Sequence, residues 1–241
     1  LIGHRGVKDL SPENTLDSIK LAYKLGLKWI EVDVKVSKDF IPILLHDDRL
    51  NRTTNSIGSP IDFNYNDLRK LDAGSFFYQY PTNIYIPSLK EVLNFCKKNN
   101  IGLNIELKPN KGFEVDNVNS IVKILNTFGF DNKFLFSSFD LLSLITMKKL
   151  IPKAYYGLLI HSFNKEIFID NIINICEKYH FISCGLNKSI INIDVVKSLK
   201  KKNIIINAYG EKNFDLSEAK ELWSIGINSL FIDDPTEFKN Y

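Results

Sequence analysis

Trp29-Ile30-Glu31-Val32-Asp33-Val34 is the stretch on which the fold turns. Side chains alternate along a strand, so Ile30, Val32 and Val34 share one face while Glu31 and Asp33 share the other. The same pattern returns in residues 101–108, where Ile101, Leu103, Ile105 and Leu107 oppose Asn104, Glu106 and Lys108. Each segment has a face fit for packing against helices and a face that is polar and ionisable.

Outward from these two strands the chain repeats a strand-then-helix rhythm. Further strands are predicted at 1–4, 133–137, 154–160, 181–184, 204–208 and 229–232, and helices at 88–98, 114–128, 140–150, 165–179, 192–202 and 215–225. An earlier helical stretch with Leu16, Ile19, Leu21, Ala22 and Leu25 is expected to open with Ser11 as N-cap and Pro12 in its first turn. Eight strand–helix units in 241 residues match a (β/α)8 TIM barrel of one core. Ile41-Pro42-Ile43-Leu44-Leu45 would make a ninth strand. Its short link to residues 34–37 leaves no room for a parallel crossover, so it reads as a hairpin arm. A turn near 39–40 would bring His46 level with Asp33. Residues 47–87 read as a small insertion after the second strand, too small for a second core. A doubly wound sheet is disfavoured because no glycine-rich phosphate loop follows the first strand.

Composition narrows the class further. The charged fraction is 24%, the hydrophobic fraction 44% and the formal charge +3, which excludes a disordered chain and gives no footprint for nucleic acid. No window reaches the ~18 apolar residues of a transmembrane helix. Cys96, Cys176 and Cys184 lack metal-ligand spacing and are expected as small core residues. Unpaired cysteines favour the cytoplasm, with a cleaved leader ahead of Leu1 left open. The chain holds 27 lysines but four arginines, Arg5, Arg49, Arg52 and Arg69, all within the first 69 residues.

In a barrel, the polar strand faces point inward, and Glu31, Asp33 and Glu106 then converge at the strand ends. Buried carboxylates without compensation must pair with a cation or neutralise. An all-oxygen set suits one hard divalent cation, Mg2+ or Ca2+; the structural alternative is an ion network with Arg5 and Lys108. His4 and His46 end the first strand and the hairpin arm, at the rim where barrels carry their chemistry, and have the pKa range of an acid–base pair. His161 and His180 read as structural hydrogen-bonders. In Gly3-His4-Arg5-Gly6 the arginine fork suits phosphate oxygens and the glycines would let the backbone approach closely. Lys108 adds a point charge. The inventory fits acid–base-assisted cleavage of an anionic phosphate ester.

At these residues the chain resembles the glycerophosphodiester phosphodiesterase family. The matching pieces are Gly3-His4-Arg5-Gly6, Pro12-Glu13-Asn14-Thr15, Glu31-Val32-Asp33-Val34, the run from His46 through Arg52 to Thr54, Ile86-Pro87-Ser88-Leu89 and Asn104-Ile105-Glu106-Leu107-Lys108. Ser138-Phe139 and Asp233-Asp234-Pro235 are weaker echoes. The resemblance implies a TIM barrel that hydrolyses a small-molecule glycerophosphodiester substrate to an alcohol and glycerol 3-phosphate. By position it implies Glu31, Asp33 and Glu106 as metal ligands, His4 and His46 as the acid–base pair, and Arg5 and Lys108 as phosphate contacts. Arg49 and Arg52 are expected to form salt bridges that hold their loop. Two departures, Asn207-Ala208-Tyr209-Gly210 and Ile232, are expected near the substrate rim.

Two rival functions follow. Phospholipase D-like action on lysophospholipids or sphingomyelin would need an apolar lip, for which Phe76-Phe77-Tyr78 is the candidate unless it caps the insertion's own core. A barrel that only binds phosphodiesters or a protein would be expected to lack a ligand or a histidine, and here all five are present.

Overall fold

The structure, a computed structural model, describes residues 1–129, 133–163 and 168–239. Its elements are β1 (Ile2–Gly3), α1 (Leu16–Lys24), β2 (Trp29–Val36), β3 (Pro42–Leu44), α2 (Tyr65–Leu68), α3 (Ser75–Tyr78), α4 (Leu89–Asn99), β4 (Gly102–Leu107) and α5 (Glu114–Phe128). They continue with β5 (Phe134–Ser138), α6 (Leu141–Leu150), β6 (Tyr155–Ile160), α7 (Ile169–Tyr179), β7 (Ser183–Asn187), α8 (Ile193–Lys201), β8 (Ile205–Tyr209), α9 (Leu216–Ile225) and β9 (Ser229–Ile232). All strands but β3 run parallel in sequence order, and the sheet closes where Ile2 of β1 lies opposite both Trp29 and Phe231. This is the expected (β/α)8 TIM barrel. Residues 165–167, the start of the helix expected at 165–179, lie outside the described residues.

The apolar strand faces pack outward. Ile30, Val32 and Val34 join Leu103 and Ile105, and helix residues such as Val92, Val118 and Ile121, in one buried layer. Each such side chain contributes roughly 1.5–3 kcal/mol by leaving water. The three cysteines lie in this layer as free thiols, as expected. Helix ends are set by local chemistry. Ser88 and Glu91 form a capping box on α4, as Asp215 and Glu218 do on α9. Lysines close the last turns of α4, α6 and α8, where the helix dipole is negative.

Two local expectations need correction. Thr15, not Ser11, caps α1, accepting from the Ser18 amide at 3.2 Å. Residues 12–14 stay out of the helix because Glu13 and Asn14 are held by charged groups at the barrel mouth. β3 does pair antiparallel with β2, but Val34 faces Leu44 and the Leu45 amide donates to the Asp33 carbonyl. The turn thus centres on residue 39, and His46 sits one residue past the level of Asp33. The excursion packs Leu50, Leu68, Ala73 and Ile86 against Ile43 and Leu45 of the hairpin arm in a small satellite cluster beside the barrel.

Candidate active site

The carboxyl ends of the strands open into a cleft of about 470 Å³. Strand alternation brings Glu31 and Asp33 of β2 to its floor, and register places Asp33 beside Glu106 of β4. One carboxylate oxygen from each of the three lies within 4.8 Å of the others, and all three residues are buried. Two cations share the floor. Lys108 Nζ stands 2.8 Å from Glu106 and 3.3 Å from Asp33, and Arg5 Nε stands 3.2 Å from Asp33. The expected alternative partners of the acids are therefore present, but they do not complete the site. Glu31 Oε2 accepts from the Arg5 amide at 2.9 Å, while Glu31 Oε1 is buried and finds no hydrogen-bond donor among the described residues.

The acids respond unequally. Burial, then the charges of Asp33 and Glu106, push Glu31 well above the usual carboxylate range. Burial and the Asp33 charge push Glu106 up to about 7 despite Lys108. Burial also opposes ionised Asp33, yet Lys108, Arg5 and His46 hold it far below its ordinary value. Asn14 helps by donating to Asp33 Oδ2 at 2.8 Å while its own Oδ1 accepts from the Asp33 amide at 3.1 Å. Two cations cannot balance three ionised acids, so without a further cation the cluster holds back protons, and Glu31 Oε1 is left bare among the described residues. That hard-oxygen set fits a divalent cation, so a metal could be held by Glu31, Asp33 and Glu106.

Each rim histidine has an aspartate behind it. His4 Nδ1 donates to Asp233 Oδ1 at 2.6 Å, and Asp233 Oδ2 meets Lys8 Nζ at 2.7 Å. His46 Nδ1 donates to Asp47 Oδ1 at 2.7 Å, and Asp47 is gripped by Arg52 at 2.7 and 2.9 Å. A carboxylate only accepts, so both Nδ1 atoms carry protons; among the described residues neither Nε2 makes a hydrogen bond, His4 Nε2 standing 4.0 Å from Glu31 Oε2. Arg52 also holds Glu13, which in turn binds Arg5 at 2.8 Å. The chain His46–Asp47–Arg52–Glu13–Arg5 thus links the ends of β1 and β3, which both pair with β2. Burial, together with Arg5 and Lys108, lowers the His46 pKa, against the pull of Asp33.

All seven expected residues, His4, Arg5, Glu31, Asp33, His46, Glu106 and Lys108, meet at this end of the barrel. Arg52 forms the expected loop-holding salt bridges; Arg49 is exposed and makes no ion pair among the described residues. Gly3 and Gly6 serve packing rather than ligand approach. A Cβ on Gly3 would overlap the Gly6 carbonyl, and Gly6, at φ +89, presses against Ser18. His161 lines the cleft with its ring 3.5 Å from Asn187, whereas His180 caps α7 at φ 53. Tyr209 is at the rim, its hydroxyl donating to the Ile160 carbonyl and its ring edge-on to Phe139. Ile232 is not: it is buried in the outer apolar layer. Phe76 and Phe77 do not cap the insertion's cluster. They are 51% and 39% exposed and border a pocket of about 160 Å³ with Lys8, Pro12 and Arg52.

Sequence reading passed over Asp233, Asp47, Glu13 and Asn14 as functional groups. The repeated carboxylate-after-histidine in His46-Asp47 was a usable signal. Asp233 stood only in the weak Asp233-Asp234-Pro235 echo, and nothing local tied it to His4, 229 positions away.

Residues 4–237 match the model of the glycerophosphoryl diester phosphodiesterase family. The glycerophosphodiester phosphodiesterase of Caldanaerobacter subterraneus is 29% identical, over 100% of this chain and 96% of that protein. That of Bacillus altitudinis is 30% identical, over 98% and 94%. Among solved structures, an Oleispira antarctica phosphodiesterase in complex with the product sn-glycerol-3-phosphate is 32% identical with a TM-score of 0.91, covering 99% of this chain and 94% of its own. Among the described residues no helix is long and apolar enough to cross a membrane.

Proposed function

Because the chain belongs to the glycerophosphoryl diester phosphodiesterase family, and is an enzyme of that class, we propose that it hydrolyses glycerophosphodiesters to sn-glycerol 3-phosphate and an alcohol. The barrel and its 47–87 excursion act as one catalytic unit. The observation that carries the reading is the pairing of two aspartate-backed histidines, each with its Nε2 unbonded among the described residues, across a cluster of three buried acids. Glu31, Asp33 and Glu106 would hold one divalent cation, Mg2+ or Ca2+, which would supply positive charge for cleavage of the phosphodiester.

Arg5 and Lys108 bind the diester's non-bridging oxygens and spread the charge that builds there. One histidine takes the proton from the attacking oxygen through Nε2 as that oxygen bonds to phosphorus. The other enters as the imidazolium, protonated at both nitrogens, and gives its Nε2 proton to the alcohol oxygen as the old P–O bond breaks, ending neutral. Asp47 and Asp233 keep both rings in the required tautomer and stabilise whichever is cationic. The attacker is water in a direct route and the neighbouring glycerol hydroxyl in a cyclic one; trapping a cyclic phosphodiester separates them. Buried free thiols fit a reducing cytoplasm.

The test is release of glycerol 3-phosphate from glycerophosphocholine, with and without chelator, by the parent chain, His4→Ala and His46→Ala. Turnover is expected only in the parent with metal. Full activity in chelator, or in either variant, would sink the scheme. A second reading, phospholipase D-like action on lysophospholipids, is favoured by one observation, the exposed Phe76 and Phe77 beside the cleft.

A further inference from the structure

β2 does not stop at its two acids. The inward alternation that carries Glu31 and Asp33 continues to Lys35, and this side chain is only 1% exposed. Its ammonium donates to Asp48 Oδ1 at 2.8 Å and to the backbone carbonyl of Lys108 at 3.0 Å. One group therefore ties three strand ends: β2, the exit of β4 where Lys108 leaves the sheet, and the exit of the hairpin arm directly after His46-Asp47.

Stability does not explain a lysine here. Its charged partner, Asp48, is 72% exposed, and an attraction to a solvated carboxylate is weak. The cost of removing an ammonium from water is large. An apolar side chain of the same length would fill the volume without that cost, and its removal would strand no buried charge, since Asp48 faces water. What an apolar side chain cannot do is fix the Lys108 backbone and the 46–48 loop to one point.

We propose that Lys35 is a positioning residue. Its ammonium clamps the His46-Asp47-Asp48 turn to the Lys108 backbone, so that the proton-transferring imidazole and the phosphate-binding ammonium stand at a fixed separation. The proposal rests on the catalytic reading above for its kinetic consequence, while the clamp itself is readable without turnover.

Lys35→Met keeps the length and removes the donor. The expected result is a melting temperature equal to or above the parent's, with kcat for glycerophosphocholine at least about tenfold lower, a magnitude set by misplacement of a group on the order of 1 Å, and KM nearly unchanged. Asp48→Asn should give a smaller loss, and the double variant should be no worse than Lys35→Met, because both act through one clamp. Amide exchange by mass spectrometry should quicken at residues 46–50 and 108–110 and stay as in the parent over β7 and β8. Parent-like kcat in Lys35→Met overturns the proposal, as does a melting temperature that falls in step with kcat. So does unchanged exchange at both segments. If the parent chain turns over no diester, the functional reading fails, and the exchange result alone then decides the clamp.

Discussion

Replacing Glu106 by Gln should stabilise the metal-free protein at neutral and alkaline pH. Glu106 is raised from 4.5 to about 7 by burial and by Asp33. A carboxyl whose folded pKa exceeds its unfolded one holds extra protons in the folded state between those values. Stability therefore falls as pH rises from about 4.5 to about 7 and stays reduced above it. A rise of about 2.5 units, at ~1.36 kcal/mol each, sets a penalty of ~3 kcal/mol, an upper figure because water reaching the cleft screens it. The amide removes the charge, and Lys108 retains Asp33 at 3.3 Å. For a chain of this size ~1 kcal/mol moves the melting temperature by about 2–4 °C, so Glu106→Gln in chelator at pH 8 should melt several degrees above the parent. At pH 4.5 the two should converge. Added Mg2+ or Ca2+ should raise the parent's melting temperature and not the variant's. The assay is scanning calorimetry across pH, with and without chelator. A variant less stable than the parent at pH 8, by a margin independent of pH, would refute the reasoning. Glu106 would then be the structural partner of Lys108, and the ion-network alternative would hold.

Other outcomes are as specific. Asp233→Asn should lower kcat on the order of 10²–10⁴-fold by releasing the His4 tautomer. Burial opposes ionised Asp233, but His4 and Lys8 hold its pKa below the ordinary value, so its stabilising contribution is present above about pH 4 and lost on further acidification. The melting-temperature gap between parent and variant should accordingly close as pH falls below ~4. Phe76→Ser with Phe77→Ser should leave glycerophosphocholine turnover unchanged and depress that of lysophosphatidylcholine; equal effects on both substrates would remove the lipid reading.

Much of the fold was legible because β2 and β4 carry a two-residue period and helices such as α4, α7 and α8 an apolar stripe, and both survive in a single sequence. The helix at 114–128 appears with the expected bounds, as α5. Errors gathered where the site overrides local preference. Ser11-Pro12 is a good helix start by propensity, but Glu13 and Asn14 are drawn out to Arg5 and Asp33, so α1 begins at Leu16. The metal-ligand candidates were visible because they break an apolar period. The role of Asp233 was invisible because it meets His4 only when the barrel closes, a contact no local pattern encodes. Lys35 lay one step past the end of the strand as read, although the same alternation points to it.

The closure of the barrel also has a consequence in time. During synthesis His4 emerges well before β9. Its amide must wait for the Ile232 carbonyl and its imidazole for Asp233, 229 positions further along the chain. A nascent chain can therefore assemble the acids of β2 and β4 and still lack a working first histidine. Any fragment cut short before β9 leaves β1, a two-residue strand, without one of its two neighbours. The histidine at β1 thus waits on β9, and a product truncated before β9 carries the acids without the Asp233 that holds His4.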